Sequence, residues 1–235
     1  MKNLGLCIIL MLIGLSSMSQ EMNKKVKRKV KMPFWVTHVE DTDILGVSFS
    51  FFPSNYSDNM GGNRTFGIRI EPTPISLLEF MFGRPLLSRT EEIYDSKLGL
   101  PANQQVYGFN FSTGTSEDID LYGVSVIGLS QYYHRANGLM LAGVNQIEKA
   151  NGLIVGVGGN GVYRGNGVML ASVWGNEANY FNGVQVSAFN AILKKGTGVQ
   201  IGLWNSAKNF RGIQIGFWNK NDKRSLPIIN WNFKS

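Results

Sequence analysis

The chain has 235 residues with 23 Lys+Arg against 16 Asp+Glu, a formal net charge of +7. It contains 28 glycines, 17% charged and 43% hydrophobic residues, and a single cysteine. This composition excludes wholesale disorder, a disulfide-stapled scaffold and a cysteine-based metal site, and it points to a turn-rich, moderately apolar chain.

Residues 1–19 place Lys2 ahead of an apolar run over 4–15 and then the small residues SSMS at 16–19. That pattern reads as a secretory signal cleaved after Ser19, since the apolar run is short for a bilayer span. Cys7 lies near the start of the run, where lipidation does not use it, so it leaves with the signal. Residues 20–44 form a basic N-terminal arm. Within it, KKVKRKVK at 24–31 supplies six cations, which read as a solvated charge block or as a contact for anionic lipid.

Residues 45–106 read as a non-repeat β region with a short helical insertion. LGVSFSFF at 45–52 and FGIRIE at 66–71 look like diverged strands, while 77–82 and 90–95 are candidate helical segments. Residues 107–235 form a β-repeat domain with a closing strand over 227–233. Its repeats open at Gly108, Gly123, Gly138, Gly152, Gly167, Gly183, Gly198 and Gly212, steps of 14–16 residues.

One and three positions after each of these glycines the residue is apolar, from Phe109 and Phe111 to Ile213 and Ile215. A period of two puts the pair on one face, which is expected to be the core. The position between them runs Asn110, Ser125, Met140, Ile154, Met169, Gln185, Gln200, Gln214, and reads as a second face, polar at both ends and covered in the middle by residues from 33–105. On this assignment Ile201→Asp disrupts the fold and Gln200→Glu is mild. Small residues four positions after the glycine (Ala142, Gly156, Ala171, Ser187, Gly202, Gly216) suit a close approach of neighbouring backbone, with Ile127 the exception.

Motifs for chemistry are weak. The glycines at 156–161 match a dinucleotide fingerprint, but they sit inside a strand repeat rather than a strand-to-helix turn. His38 and His134 each lack a second histidine, and Glu40 and Asp41 beside His38 make no metal-ligand pattern. Ser130 and Asp118 flank His134 without a nucleophile turn. Glu91 and Glu92 are adjacent and diverge on a helix, so no carboxylate pair for acid-base or glycoside chemistry is found. No catalytic, cofactor-binding or metal-binding residue is assigned. Trp174, Trp204, Trp218 and Trp231, with Phe189, read as a structural column or an interfacial belt. Asparagines before the strand (Asn137, Asn151, Asn166, Asn182) and after it (Asn145, Asn190, Asn205, Asn219) read as turn ladders.

Two all-β architectures fit: a β-solenoid with one repeat per coil, or an antiparallel outer-membrane β-barrel. Nearly constant turn lengths and the apolar Met140, Ile154 and Met169 favour the solenoid, because a barrel lumen is polar and its loops are unequal. Copies such as TGVQIGLWN at 197–205, with the ending LPIINWNF at 226–233, resemble the bacterial surface-repeat proteins of spirochaetes and Bacteroidetes over residues 45–233. The resemblance implies an exported, envelope-associated protein and brings no catalytic residues to carry over. Expected partners are the cell envelope or outer-membrane surface of a Gram-negative-type bacterium, with anionic lipid at the basic arm and no nucleic acid. The expected role is a scaffold or adhesion surface, the alternative a barrel forming a pore.

Overall fold

The computed structural model describes residues 28–51, 62–72, 87–99, 102–115 and 118–233. The expected signal segment, residues 20–27 of the basic arm and the candidate helix at 77–82 lie outside them. The elements are β1 (Lys29–Lys31), β2 (Phe34–Val36), β3 (Thr42–Phe49), β4 (Asn63–Glu71), α1 (Glu91–Gly99), β5 (Gln104–Ser112), β6 (Ile119–Ile127), β7 (Ser130–Ala171), β8 (Gly175–Val186), β9 (Phe189–Ile201), β10 (Trp204–Ala207), β11 (Phe210–Lys220) and β12 (Ser225–Asn232). The 42 residues of β7 contain three successive repeat glycines, the strand bending at the corners of the coil rather than breaking.

The architecture is a β-solenoid of about eleven turns. Strands stack parallel and in register, so that Gly46 pairs with Gly67, Gly67 with Gly108 and Gly108 with Gly123, and further along Gly183 pairs with Gly198 and Gly198 with Gly212. The two diverged strands therefore join the same sheet as the later copies. Only β12 runs antiparallel, pairing Ile213 with Trp231 and covering the last edge. The barrel alternative is corrected by this pairing: a barrel needs antiparallel neighbours, whereas these strands bond to their equivalents one coil away.

The glycine column has a two-fold cause. Each column glycine from Gly46 to Gly212 has φ between +124° and +155°, a region that L side chains rarely adopt. A Cβ at Gly183 would also overlap the carbonyl oxygen of Gly167, and one at Gly198 that of Gly183. Four positions on, a Cβ at Gly202 would overlap the Ser187 carbonyl and one at Gly216 the Gly202 carbonyl, which accounts for the glycines of the second small-residue column; the exceptional Ile127 is buried.

The assignment of faces is reversed relative to the expectation from periodicity. Gln200 is 0% exposed and Ile201 is 40% exposed. The column between the apolar pair points into the coil, and the apolar pair points out. Met140, Ile154 and Met169 are buried because they face the coil interior, not because the region at 33–105 covers them. They pack with two further inward columns: Val106, Leu121, Ala136, Ala150, Phe181 and Phe210 before the glycines, and Tyr133, Ile147, Val162, Ala178, Ile192 and Ala207 on the return side.

Polar residues are tolerated inside because identical copies satisfy one another. Gln200 Nε2 donates to Gln185 Oε1 at 2.7 Å, and Gln214 Nε2 donates to Gln200 Oε1 at 2.7 Å. The asparagines at 145, 160, 176, 190, 205 and 219 form a second buried ladder with Nδ2 to Oδ1 distances of 2.6–3.0 Å. Each of the first five also caps a backbone carbonyl of the neighbouring coil, as Asn190 does to Ile201 at 2.9 Å. Stacked amides of this kind remove the usual cost of burying an unpaired polar group.

Candidate interaction surface

The outward columns of the glycine-start strands form a flat face of twelve rungs with two side chains each. It starts at Phe34 and Val36, runs through Phe109 and Phe111, Leu139 and Leu141, Val199 and Ile201, and ends at Trp231 and Ile229. Every one of these side chains is apolar and none is buried. Twelve strands about 4.8 Å apart make a stripe roughly 53 Å long. Two columns about 7 Å apart, with their flanks, give a footprint on the order of 650 Å² before the rims are added. That exceeds the largest apolar patch of most soluble monomers, about 300–600 Å².

Both long rims have a distinct chemistry. On the N-terminal side of the strands, Phe66, Tyr107 and Tyr122 stack with ring centroids 4.9 Å apart and planes within 7°. Beyond them the rim becomes an exposed amide ladder, Asn151 to Asn137 at 2.8 Å, Asn166 to Asn151 at 2.9 Å and Asn182 to Asn166 at 3.0 Å. The other rim carries Phe189, Trp204 and Trp218 in register, with Phe189 stacked on Trp204 at 5.6 Å. Trp174 stands one position earlier in its coil, and Trp231 belongs to the antiparallel β12. The expected tryptophan column therefore holds only in its C-terminal copies. Where the column lapses, a depression of about 250 Å³ opens, floored by Gly128, Gly143 and Gly158 and walled by Leu129, Val144, Val157 and Trp174.

The opposite side of the solenoid is polar and is where the insertion docks. Glu148 is 0% exposed, and its Oε1 accepts from the Ser88 N–H and hydroxyl at 3.0 Å, from Lys97 Nζ at 2.7 Å and from the Tyr132 hydroxyl at 3.1 Å. Burial, reinforced by the Glu148 charge, pushes the Tyr132 hydroxyl well above its ordinary value, so it stays a neutral donor. Tyr94 of α1 stacks on Tyr163 at 4.5 Å, and Glu91 pairs with Arg164. Thr90 Oγ1 caps the helix by accepting from the Ile93 N–H at 3.3 Å. Ser88, Tyr132 and Glu148 are buried and Lys97 is half-buried, and their contacts hold the insertion in place.

The residues weighed for chemistry are dispersed. His134 Nε2 lies 2.9 Å from Asp118 Oδ1, while Ser130 lines the apolar depression, four strand residues or roughly 13 Å of chain away. His38 Nε2 accepts from the Phe51 N–H at 3.2 Å, and burial followed by the Arg69 charge lowers its pKa. The glycines at 156–161 lie inside β7 rather than at a strand-to-helix turn. Glu91 and Glu92 open α1, where Glu91 is engaged by Arg164 and by the Tyr180 hydroxyl at 3.0 Å. At the N-terminal end a buried network that sequence reading missed joins Arg69 to Glu71 and Asn110, each at 3.0 Å, and to Gln104 at 2.8 Å. The 41-residue separation of Arg69 from Asn110 hides the fact that both occupy the inward column. Among the described residues no group of three or more His, Cys, Asp or Glu could hold a metal ion, and no helix is long and apolar enough to cross a membrane.

Comparison with protein-family models, with curated proteins and with solved structures returned no match.

Proposed function

We propose that the chain is a non-enzymatic, exported repeat protein of a bacterial cell envelope, a scaffold or adhesion module that works through its apolar sheet face. One observation carries this reading: among the described residues, twelve rungs of outward apolar side chains stay open, while the insertion at 87–99 packs on the opposite side. A chain selected only to fold would place polar residues on that outer face, as solvent-facing sheets do. The leader-like residues 1–19 and the likeness to surface-repeat proteins support the envelope location, and the dispersal of His134, Ser130, Glu91 and Glu92 supports a binding role.

The test is fractionation of cells carrying the parent chain or the Val199→Lys, Ile201→Lys double variant. Both chains should fold alike by circular dichroism, and both should reach the envelope fraction. Only the parent should stay there through a low-ionic-strength wash, and alkaline carbonate should release it. Recovery of the parent chain in the cytoplasm would defeat the envelope assignment, and equal retention of the two chains would defeat the role given to the face.

A further inference from the structure

We infer that the occupant of the apolar face is an anionic lipid leaflet, on which the solenoid lies flat with its long axis in the membrane plane. This rests on the reading of that face as the contact surface. The face offers a partner almost no polar handle. A protein interface carries about one hydrogen bond per 100–200 Å², whereas twelve rungs of paired side chains here present none. The backbone polar groups of the sheet are bonded between coils along the stack, so apolar chains can press against it without leaving unpaired N–H or C=O groups.

The margins have the chemistry of a membrane interface. Tyr107, Tyr122, Trp204 and Trp218 stand along the two long rims, the position amphipathic rings take between hydrocarbon and head groups. Cations stand over aromatic rings at both ends: Lys31 over Trp35 at 4.1 Å near the first rungs and Arg224 over Trp231 at 4.4 Å on the last. Lys29 and Lys31 lie in β1, the latter three residues before Phe34 opens the face. A broad apolar face continuous with a cationic segment matches the requirements for interfacial adsorption to anionic lipid: area for burial, charge for attraction. A second copy stacked face to face would bury the same columns, but the apolar side chains it brings carry no charge to answer Lys29 and Lys31 beside the first rungs.

The test uses the chain as recovered from its host after export, mixed with vesicles of phosphatidylcholine alone or with phosphatidylglycerol added. Co-sedimentation should favour the anionic vesicles by at least about tenfold and weaken with salt. Lipids brominated near the head-group end of the acyl chain should quench tryptophan fluorescence. The Val199→Lys, Ile201→Lys variant should bind at least about tenfold more weakly, since charges on a lipid-facing sheet oppose insertion. Vesicle binding that survives the double substitution overturns the inference, because the basic arm alone then carries it. Absence of vesicle binding with a doubled mass in sedimentation equilibrium, abolished by the variant, overturns it in favour of a second copy and leaves the contact-surface reading standing. Parent and variant alike in vesicle binding, mass and envelope retention would overturn both.

Discussion

Replacing Gln200 by Glu tests the inward orientation of its column. Gln200 is fully buried, donates to Gln185 Oε1 at 2.7 Å and to the Ser206 carbonyl at 3.4 Å, and accepts from Gln214 Nε2 at 2.7 Å. Ionised Glu keeps the acceptor but loses both donor contacts, and sets a negative charge against the Gln185 oxygen. An uncompensated buried charge costs about 3–5 kcal/mol, which corresponds to raising the carboxyl pKa by about 2–4 units at roughly 1.4 kcal/mol per unit. A raised folded-state pKa means the proton is held more tightly in the fold. The penalty should therefore be present at pH 7 and shrink as pH falls toward the unfolded value near 4.3, where a protonated Glu again donates to Gln185. Urea unfolding followed by circular dichroism at pH 7 and pH 4 measures this directly. Ile201→Asp, at a half-exposed site, should cost no more than about 1 kcal/mol at either pH. A larger loss at Ile201 than at Gln200 at pH 7 would refute the reasoning.

Further outcomes follow from the same geometry. Gly183→Ala, strained at φ +140° and overlapping Gly167, should cost at least about 3 kcal/mol, whereas Gly99→Ala, at the end of α1 with open space, should stay within about 0.5 kcal/mol; thermal melts compare them. Asn190→Ala removes bonds to Asn205 and Ile201 and the side-chain acceptor of Asn176, and should lose about 2–4 kcal/mol in urea titrations. Glu148→Ala removes the acceptor of four donors, so limited proteolysis should cut within 87–99 at least about tenfold faster while strand content persists. The hydrogen bond from Arg64, joined by Arg28, holds Asp43 below the usual carboxylate range, so its contribution is present above pH ~4 and lost as pH falls through the lowered value; Asp43→Asn should flatten the acid side of a melting-temperature profile.

The repeat period was legible in the sequence, and a fixed step of 14–16 residues with one obligatory glycine favoured the solenoid over the barrel. Membership of the Gly46 and Gly67 strands in the same sheet was also legible, from alternation alone. Which face points inward was not. Periodicity separates Val199 and Ile201 from Gln200 but carries no sign, and ordinary hydrophobic reasoning then puts the amide in water. That reasoning fails in a stack, where Gln185, Gln200 and Gln214 satisfy each other at every coil. The Arg69 network was missed for the same reason, being assembled between coils from residues far apart in sequence. Docking of α1 through Glu148 and Tyr132 depends on tertiary contacts with no local signature, although a helical segment is expected over 90–95 and the helix runs over Glu91–Gly99.

The central claim is that the apolar pair of each coil faces outward around a buried amide column. Three single variants, Val199→Cys, Gln200→Cys and Ile201→Cys, in a background with Cys7 removed, give its most direct measurement through maleimide reaction rates in the folded protein. The thiols introduced at positions 199 and 201 should react within about tenfold of an unfolded control, while the thiol at position 200 should be protected by orders of magnitude. Protection at both flanking positions with a reactive site between them would contradict the account.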